Sequence, residues 1–338
     1  MLQIIILILG VSFVLYTILG GADFGAGIVE TFAGRKGEKI ISKALAPVWE
    51  ANHVWLILAI VILFTAFPVV YSTISVVLHI PLMVVLIGIV LRGSFFTFRH
   101  YDIGRDASHK YYTAVFKVSS FITPVFLGVT LGAMILGRID LSDTSESFYE
   151  QYIYPWFNLF CFAMGLFSAL LFGYIASIFL IGETQTPIER LRYIRLSKFF
   201  MLLTFVMSVL VFLAAEWYEL HLFSNFFNST VSIGAFTVAL LLVPAIFYLF
   251  NHPSILFLRL AIGLQVAMVI VGWFAIQYPV LVVEKSGNHL TFYNTQAPPA
   301  TQYQLLIALF VGLLFVIPAF YFLFRVFKPS DDQKPANP

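Results

Sequence analysis

The chain has 338 residues, of which 60% are hydrophobic and only 11% are charged, and its mean hydropathy is +0.94. A water-soluble domain carries about 25% charged residues, so this composition excludes a soluble globule and indicates an integral membrane protein. The formal net charge of +2 comes from dispersed basic residues without a polybasic arm, which gives no sign of a nucleic-acid partner.

Long apolar stretches divide the chain into predicted membrane-spanning helices. A helix that crosses the hydrocarbon core needs about 20 apolar residues, because it rises about 1.5 Å per residue through about 30 Å. The sequence predicts nine spans, at about 2–29, 49–71, 73–98, 113–137, 155–181, 198–220, 229–250, 255–282 and 303–327. We expect an all-α polytopic protein with one integral membrane domain over residues 1–329 and a disordered tail at 330–338.

The loops between these spans differ in charge. Every Lys and Arg except Arg138 and Lys285 falls on one side of the membrane, while the connection at 138–153 on the other side is acidic. The side rich in Lys and Arg is the cytoplasmic side. The N-terminus is therefore predicted outside and the C-terminus in the cytoplasm, an arrangement that an odd number of spans requires.

The first predicted span ends in the motif GADFGAG, which places the carboxylate of Asp23 among apolar residues near the cytoplasmic face. Gly21 and Gly25 are four residues apart and share a helix face, so this face is expected to pack closely against a neighbouring helix. Asp23 lies about 200° around the helix from Gly21 and is expected to face a different partner. A carboxylate near a helix C-terminus in apolar surroundings is costly unless another group offsets it.

Two arginines lie near the cytoplasmic end of the third span, and one of them is a candidate partner for this acid. Arg92, in LRGSFFTFR, is the predicted ion-pair partner of Asp23. The alternative for Arg92 is a snorkelling anchor at the membrane interface. Arg99, at the end of the same motif, is interpreted as such an anchor.

The second span begins with APVWEANHVW, in which Glu50 and His53 lie three residues apart on neighbouring positions of one helix face. A carboxylate beside an imidazole at a membrane entrance is typical of a proton relay, because burial allows both groups to titrate near neutral pH. Asn52, between them in sequence, is a further candidate relay. Glu50 is equally well explained as an acid at a helix N-terminus, which the helix dipole favours.

Other catalytic and cofactor chemistries lack a sequence signal. Cys161 is the one cysteine, so neither an internal disulfide nor a thiolate metal site is predicted. The seven histidines offer no convincing pair at matched depth on facing helices, so we predict no haem ligand and no metal site in this chain. Phosphate-binding glycine loops, nucleophile elbows and zinc-peptidase motifs are also missing from the sequence.

Taken together, these motifs resemble subunit II of the cytochrome bd-type quinol oxidases. The resemblance rests on GADFGAG, APVWEANHVWLI, Phe67-Pro68 and LRGSFFTFR, and on the nine-span layout of the whole chain. It implies two four-helix bundles, with helices 1–4 at about 2–137 and helices 5–8 at about 155–282, and a peripheral ninth helix. The features are similar to those of the shorter Gram-positive and cyanide-insensitive branch, in which menaquinol is the expected electron donor.

The resemblance implies a subunit of an electrogenic terminal oxidase in the bacterial cytoplasmic membrane, without activity of its own. A partner, subunit I, would hold the haems, of b type or of b and d type, oxidise quinol and reduce O2 to water. This chain would ligate no haem and would pack against subunit I. Whether a quinone binds to this chain, and whether a small single-helix accessory subunit is present, stays open.

The resemblance also assigns roles to individual residues. Glu50 matches an acid that lines a proton route from the cytoplasm toward the oxygen-reducing haems, and Asp23 and Arg92 match the acid of helix one and the arginine of helix three. Relatives often carry a further acid just before the helix-one motif, where this chain has Thr17-Ile18-Leu19-Gly20. The predicted proton pathway consists of Asp23, Glu50, Asn52 and His53, with Arg92 as charge partner. Because the further acid is missing, the first steps of this pathway can differ from those in relatives.

Two other functions fit the same residues. A proton-coupled secondary transporter also needs acids at membrane depth and many spans, and it predicts helices broken near the midplane and activity by this chain alone. A purely structural membrane subunit would use the acids only to stabilise an interface. A reduced-minus-oxidised spectrum of the purified chain with its partners distinguishes the oxidase from the transporter.

Overall fold

The computed structural model describes residues 1–45, 51–101, 107–140, 147–252 and 254–327. The helices are α1 (Leu2–Leu15), α2 (Gly21–Leu45), α3 (Val54–Ala66), α4 (Pro68–Val77), α5 (His79–Tyr101), α6 (Ala107–Ile135), α7 (Phe148–Tyr152), α8 (Leu159–Ile181), α9 (Pro187–Trp217), α10 (Leu222–Asn228), α11 (Thr230–Asn251), α12 (Ile255–Gln277) and α13 (Pro299–Phe327). A π-helical segment (Tyr16–Gly20) joins α1 to α2, and a 3₁₀ turn (Ala51–His53) precedes α3. Strands β1 (Val280–Val282) and β2 (Leu290–Thr291) form a small antiparallel ribbon.

Most of these helices are apolar around their whole circumference, as helices in contact with lipid are. Among the described residues, eight helices are long and apolar enough to cross a membrane, and the bent pair α3–α4 would make a ninth. The predicted all-α, multi-pass class is therefore confirmed. The ribbon is a small local addition that the sequence prediction missed.

The second predicted span differs most from the prediction of 49–71. α3 ends at Ala66, and the chain turns there by 113° into α4. Pro68 explains the break, because a proline disfavours the α-helical region for the residue before it, and Phe67 has φ −134° and ψ 59°. Pro68 then begins α4, where its missing N–H leaves no hydrogen bond unmade.

Two further boundaries move for similar local reasons. The basic stretch after the first span, predicted as a loop, is helical as far as Leu45, with a break at Gly34, whose φ of 64° suits glycine. The predicted span 255–282 ends at Gln277, two residues before Pro279, and leaves Val280–Val282 free to form β1.

α9 begins well before the predicted residue 198. The hydroxyl of Thr186 accepts the backbone N–H of Glu189, and the Glu189 carboxylate accepts the backbone N–H of Thr186. This reciprocal capping box, followed by Pro187 in the first turn, is a strong helix start. The helix therefore extends for about three turns beyond the apolar stretch.

α8 is the centre of the fold, buried along most of its length against α2, α6 and α9. Glycines bring its backbone close to that of α6: a Cβ at Gly128 would lie 2.5 Å from the carbonyl oxygen of Met164, and one at Gly165 would lie 2.5 Å from that of Val125. Cys161 is buried here as a free cysteine. The first helix after residue 155 thus shares its core with the helices of the first half.

α13 lies at the edge of the fold. It packs along α3, where the rings of Trp55 and Phe320 stack with centroids 5.8 Å apart. Most of its described side chains are exposed or half-exposed. The helix is therefore peripheral in this chain.

Candidate functional site

The glycine motif presses α2 against α8 and leaves Asp23 on the opposite side of the helix. A Cβ at Gly25 would lie 1.9 Å from the carbonyl oxygen of Phe172, and one at Gly21 would lie 2.9 Å from the Phe172 ring. The face that carries the two glycines is therefore in contact with α8. Asp23, two residues after Gly21, projects toward α5 instead.

Asp23 is fully buried and forms an ion pair with Arg92, which is also fully buried. Nη2 of Arg92 donates to Oδ1 of Asp23 at 2.5 Å and to its backbone carbonyl oxygen at 3.3 Å. The guanidinium lies 5.2 and 5.5 Å from the ring centroids of Phe24 and Phe116. Two charges held this far from solvent depend on each other, because removing either one leaves the other without compensation.

His53 approaches the same carboxylate from the turn before α3. Its Nε2 lies 3.8 Å from Oδ2 of Asp23. Its ring is 6.4 Å from that of Tyr16 and 5.6 Å from that of Phe24, centroid to centroid. The imidazole is thus held by aromatic contacts beside the carboxylate oxygen that Arg92 does not bind.

The other two predicted pathway residues precede His53 in sequence. Asn52 is buried next to it. Glu50 lies outside the described residues. The structure therefore brings Asp23, Arg92 and His53 together in one buried centre, which we call the Asp23 centre, and places Asn52 adjacent to it.

Several buried polar atoms of this centre have no hydrogen-bond partner among the described residues. They are Oδ2 of Asp23, Nδ1 of His53, Nε and Nη1 of Arg92, and the hydroxyl of Tyr16. Buried polar atoms are nearly always hydrogen-bonded, in many cases to ordered water. Free donors and acceptors gathered in one place are what a hydrogen-bonded chain of water requires.

A second buried ion pair, between Glu30 and Arg99, was not predicted. Nη1 of Arg99 donates to both carboxylate oxygens of Glu30, at 2.8 and 2.9 Å, and Nη2 donates to the Ser42 hydroxyl at 3.1 Å. Nζ of Lys117 lies 3.7 Å from Oε1 of Glu30. The interpretation of Arg99 as an interface anchor is wrong, because a buried carboxylate on the neighbouring helix binds its guanidinium inside the protein and leaves it 4% exposed.

The two ion pairs share one spacing. Glu30 follows Asp23 by seven residues and Arg99 follows Arg92 by seven, so each pair joins residues 69 apart in the sequence. Seven residues make about two helical turns, or about 10.5 Å of rise. α2 and α5 therefore run parallel, and we call the two pairs the ion-pair ladder; the ring of Phe116 contacts both of its guanidinium groups.

We expect Glu30→Gln to destabilise the protein by about 2 kcal/mol, because a hydrogen bond to a charged group contributes about 1.5–3 kcal/mol. Arg99 and Lys117 would then face each other without the anion between them. Thermal unfolding of the detergent-solubilised protein measures the effect. The control is Glu183→Gln, whose partly exposed pair with Arg259 is expected to contribute less than about 1 kcal/mol. Equal shifts for the two variants would contradict the prediction.

Comparison with known proteins gives one family. The family model described as cytochrome bd terminal oxidase subunit II matches residues 1–327. This chain belongs to that family. Among bd oxidase subunits II, cytochrome bd ubiquinol oxidase subunit 2 of Bacillus subtilis is 26% identical over 333 residues, which cover 97% of this chain and 96% of that protein. The putative cytochrome bd menaquinol oxidase subunit II of the same species is 24% identical over 327 residues, or 93% and 91%.

More distant bd oxidase subunits match in part or in fold. Cytochrome bd-I ubiquinol oxidase subunit 2 of Escherichia coli K12 is 27% identical over 165 residues, which cover 48% of this chain and 43% of that protein. In the solved structure of the bd oxidase from Geobacillus thermodenitrificans, one chain superposes with a TM-score of 0.78 and 20% identity, covering 97% of this chain and 98% of that one. That similarity shows a shared fold.

Membership makes this chain a multi-pass subunit II of a haem-containing respiratory quinol oxidase in a bacterial membrane. The predicted family, oxidoreductase class and membrane location are confirmed. A bd oxidase subunit II implies a hetero-oligomer with subunit I.

In the part of the chain that the structure describes, no group of three or more His, Cys, Asp or Glu side chains is arranged to hold a metal ion.

Proposed function

We propose that this chain packs against a haem-bearing subunit I and carries protons from the cytoplasm toward the oxygen-reducing haems through Asp23, Glu50, Asn52 and His53. The observation that supports this most directly is that the two oxygens of the Asp23 carboxylate have different surroundings. Arg92 binds Oδ1, while Oδ2 lies 3.8 Å from His53 and has no hydrogen-bond partner among the described residues. An acid that is oriented through one oxygen and free at the other is suited to take up and release a proton.

The proposed route begins at the cytoplasmic face, with the N-terminus of the chain outside. The ion-pair ladder leads from Asp23 toward the break of α2 at Gly34. Two basic residues lie just before this break: Lys117 beside Glu30, and Arg192, which donates to the carbonyl oxygen of Phe32 at 3.2 Å. Clustered Lys and Arg mark the cytoplasmic side of a membrane protein. Asp23 is then about 10.5 Å deeper in the membrane than Glu30.

Each residue has a separate task in this proposal. Glu50 takes the proton at the entry, and the Asn52 amide orients the water that passes it on. His53 relays it to Oδ2 of Asp23, while Arg92 keeps that carboxylate oriented and compensates its charge. The haems, when bound by subunit I, would pass electrons from quinol to O2, and the residues of this chain move only protons.

We also propose that subunit I ligates all the haems, of b type or of b and d type, and that menaquinol is the donor. Two of the seven histidines have other partners: Nδ1 of His79 forms a hydrogen bond with the carbonyl oxygen of Val76 at 2.8 Å, and Nε2 of His109 lies 3.3 Å from Oε1 of Glu38. The two Bacillus subtilis relatives differ in the quinol that their descriptions name, ubiquinol in one and menaquinol in the other. Oxygen consumption of the complex with each quinol tests the choice of donor.

The variant that tests the proton route is Glu50→Gln, made in the assembled oxidase. We expect steady-state oxygen consumption to fall about tenfold, less than the roughly 10²–10⁴-fold contribution of a positioned general acid or base, because water partly replaces the lost carboxyl group. Haem content is expected to stay at the wild-type level. The matched control is Glu189→Gln, an acid at another helix N-terminus whose capping box glutamine maintains, and it is expected to leave turnover unchanged.

The outcomes separate the proposed function from its alternatives. Slow turnover at full haem content, with slow proton uptake from the inner side, supports a proton route. Unchanged turnover in Glu50→Gln makes Glu50 an acid at a helix end and contradicts the proposed entry. Solute uptake by the chain alone, with no haem spectrum from a co-purified partner, would establish the transporter instead.

A further inference from the structure

Tyr16 differs from the other hydroxyl-bearing residues of the first helix. Ser12 and Thr17 donate their hydroxyl hydrogens to carbonyl oxygens of their own helix, at 2.7 and 2.8 Å. Tyr16 is 4% exposed, yet its hydroxyl has no hydrogen-bond partner among the described residues. Buried hydroxyl groups are nearly always hydrogen-bonded, so helix packing alone does not account for a tyrosine at this position.

The local backbone makes room for the Tyr16 ring. Tyr16 begins the π-helical segment, and single turns of this kind are frequent at functional sites. The ring lies over Gly20, where a Cβ would be 2.7 Å from Cε2 of Tyr16. Because glycine has no side chain, the ring occupies space at position 20 that any other residue would fill.

Beyond Gly20 the ring reaches the groups that remain unpaired in the Asp23 centre. Its centroid is 6.4 Å from that of the His53 imidazole. The hydroxyl, Oδ2 of Asp23 and Nδ1 of His53 are therefore three polar atoms of one buried centre, each without a partner among the described residues.

We propose that Tyr16 is a further proton-relay residue of this subunit, whose hydroxyl positions a water molecule against Oδ2 of Asp23; the inference rests on the proposed proton-uptake function. In each transfer the phenol oxygen receives a hydrogen from a protonated water on one side and gives its own hydrogen to the water on the other. One O–H bond forms as another breaks, the phenol ends neutral, and Asp23 accepts the proton. The step needs no oxidant or reductant.

The test is Tyr16→Phe in the assembled oxidase. Phenylalanine fills the same apolar space, so the unfolding midpoint and haem content are expected to stay at wild-type values. We expect kcat for oxygen consumption to fall roughly fivefold, below the roughly 10²–10⁴-fold range of directly acting acids and bases because Tyr16 acts through Asp23. The KM for quinol is expected to be unchanged, and the solvent deuterium isotope effect on kcat is expected to rise.

The matched control is Tyr174→Phe on α8, because Tyr174 is as buried as Tyr16 but donates its hydroxyl hydrogen to Gln265 Oε1 at 3.1 Å, away from the Asp23 centre. Unchanged kcat and isotope effect in Tyr16→Phe, or an equal fall in the control, would overturn the inference. A normal Tyr16→Phe beside a slow Glu50→Gln refutes only the role of Tyr16. Normal turnover in both variants refutes the inference together with the proposed proton route.

Discussion

Asp23→Asn is expected to destabilise the subunit by about 3–5 kcal/mol, because it leaves the Arg92 guanidinium buried without a counter-ion. The neutral amide also cannot take up a proton at Oδ2, so oxygen consumption by whatever complex assembles is expected to fall to near background. The unfolding midpoint of the purified complex and its turnover per haem measure the two effects separately. Wild-type values for both would contradict the structural and the functional interpretation of the Asp23 centre.

The double variant Asp23→Asn with Arg92→Gln separates charge compensation from proton transfer. Removing both charges leaves no unpaired ion, so we expect a coupling energy of about 1–3 kcal/mol and a midpoint above that of either single variant. Turnover is expected to stay low, because neither amide carries protons. Recovery of turnover together with stability would show that the Asp23–Arg92 pair is purely structural.

Gly25→Ala is expected to destabilise the subunit by about 3 kcal/mol or more, at the upper end of the range for overpacking. The added Cβ would lie 1.9 Å from the carbonyl oxygen of Phe172, and a backbone atom cannot rotate aside as a side chain can. α2 and α8 must then move apart. The yield of assembled oxidase and its unfolding midpoint are the measurements.

The controls for this variant are Gly10→Ala and Gly312→Ala, at two helical glycines where the added Cβ would have no atom of another described segment within 4 Å. Alanine favours a helix by about 1 kcal/mol over glycine, so these variants are expected to be neutral or slightly stabilising. A Gly25→Ala protein as stable as these controls would show that the α2–α8 contact adjusts easily, against the packing described above.

Local sequence signals were sufficient to predict much of the fold and part of the candidate site. Apolar length predicted most of the spanning helices, and GADFGAG identified both the tight face at Gly21 and Gly25 and the acid that needed a partner. The bend at Phe67 was also encoded locally, since Pro68 excludes its neighbour from the helical region. The predicted span of 49–71 ran through Pro68 without a break, and this is why its boundary was placed too late.

The second ion pair shows where local reasoning ends. Glu30 and Arg99 each look like a charged residue near a helix end, and only the offset shared with Asp23 and Arg92 connects them. That offset can be interpreted only once α2 and α5 are known to run parallel with both packed against α6, which depends on tertiary structure. The same limit applies to the central position of α8, because its partners are set by glycine contacts on three different helices.

The ion-pair ladder also restricts how the subunit can deform during turnover. A slip of α5 by one helical turn along α2 would place Arg92 and Arg99 opposite Leu19 and Ala26, or, in the other direction, opposite Gly27 and Gly34. Both guanidinium groups would lose their anions in the same movement. We therefore expect α2 and α5 to move as one rigid unit. Sliding of one helix along the other is strongly disfavoured, so conformational change in this region is expected in side chains or as motion of both helices together.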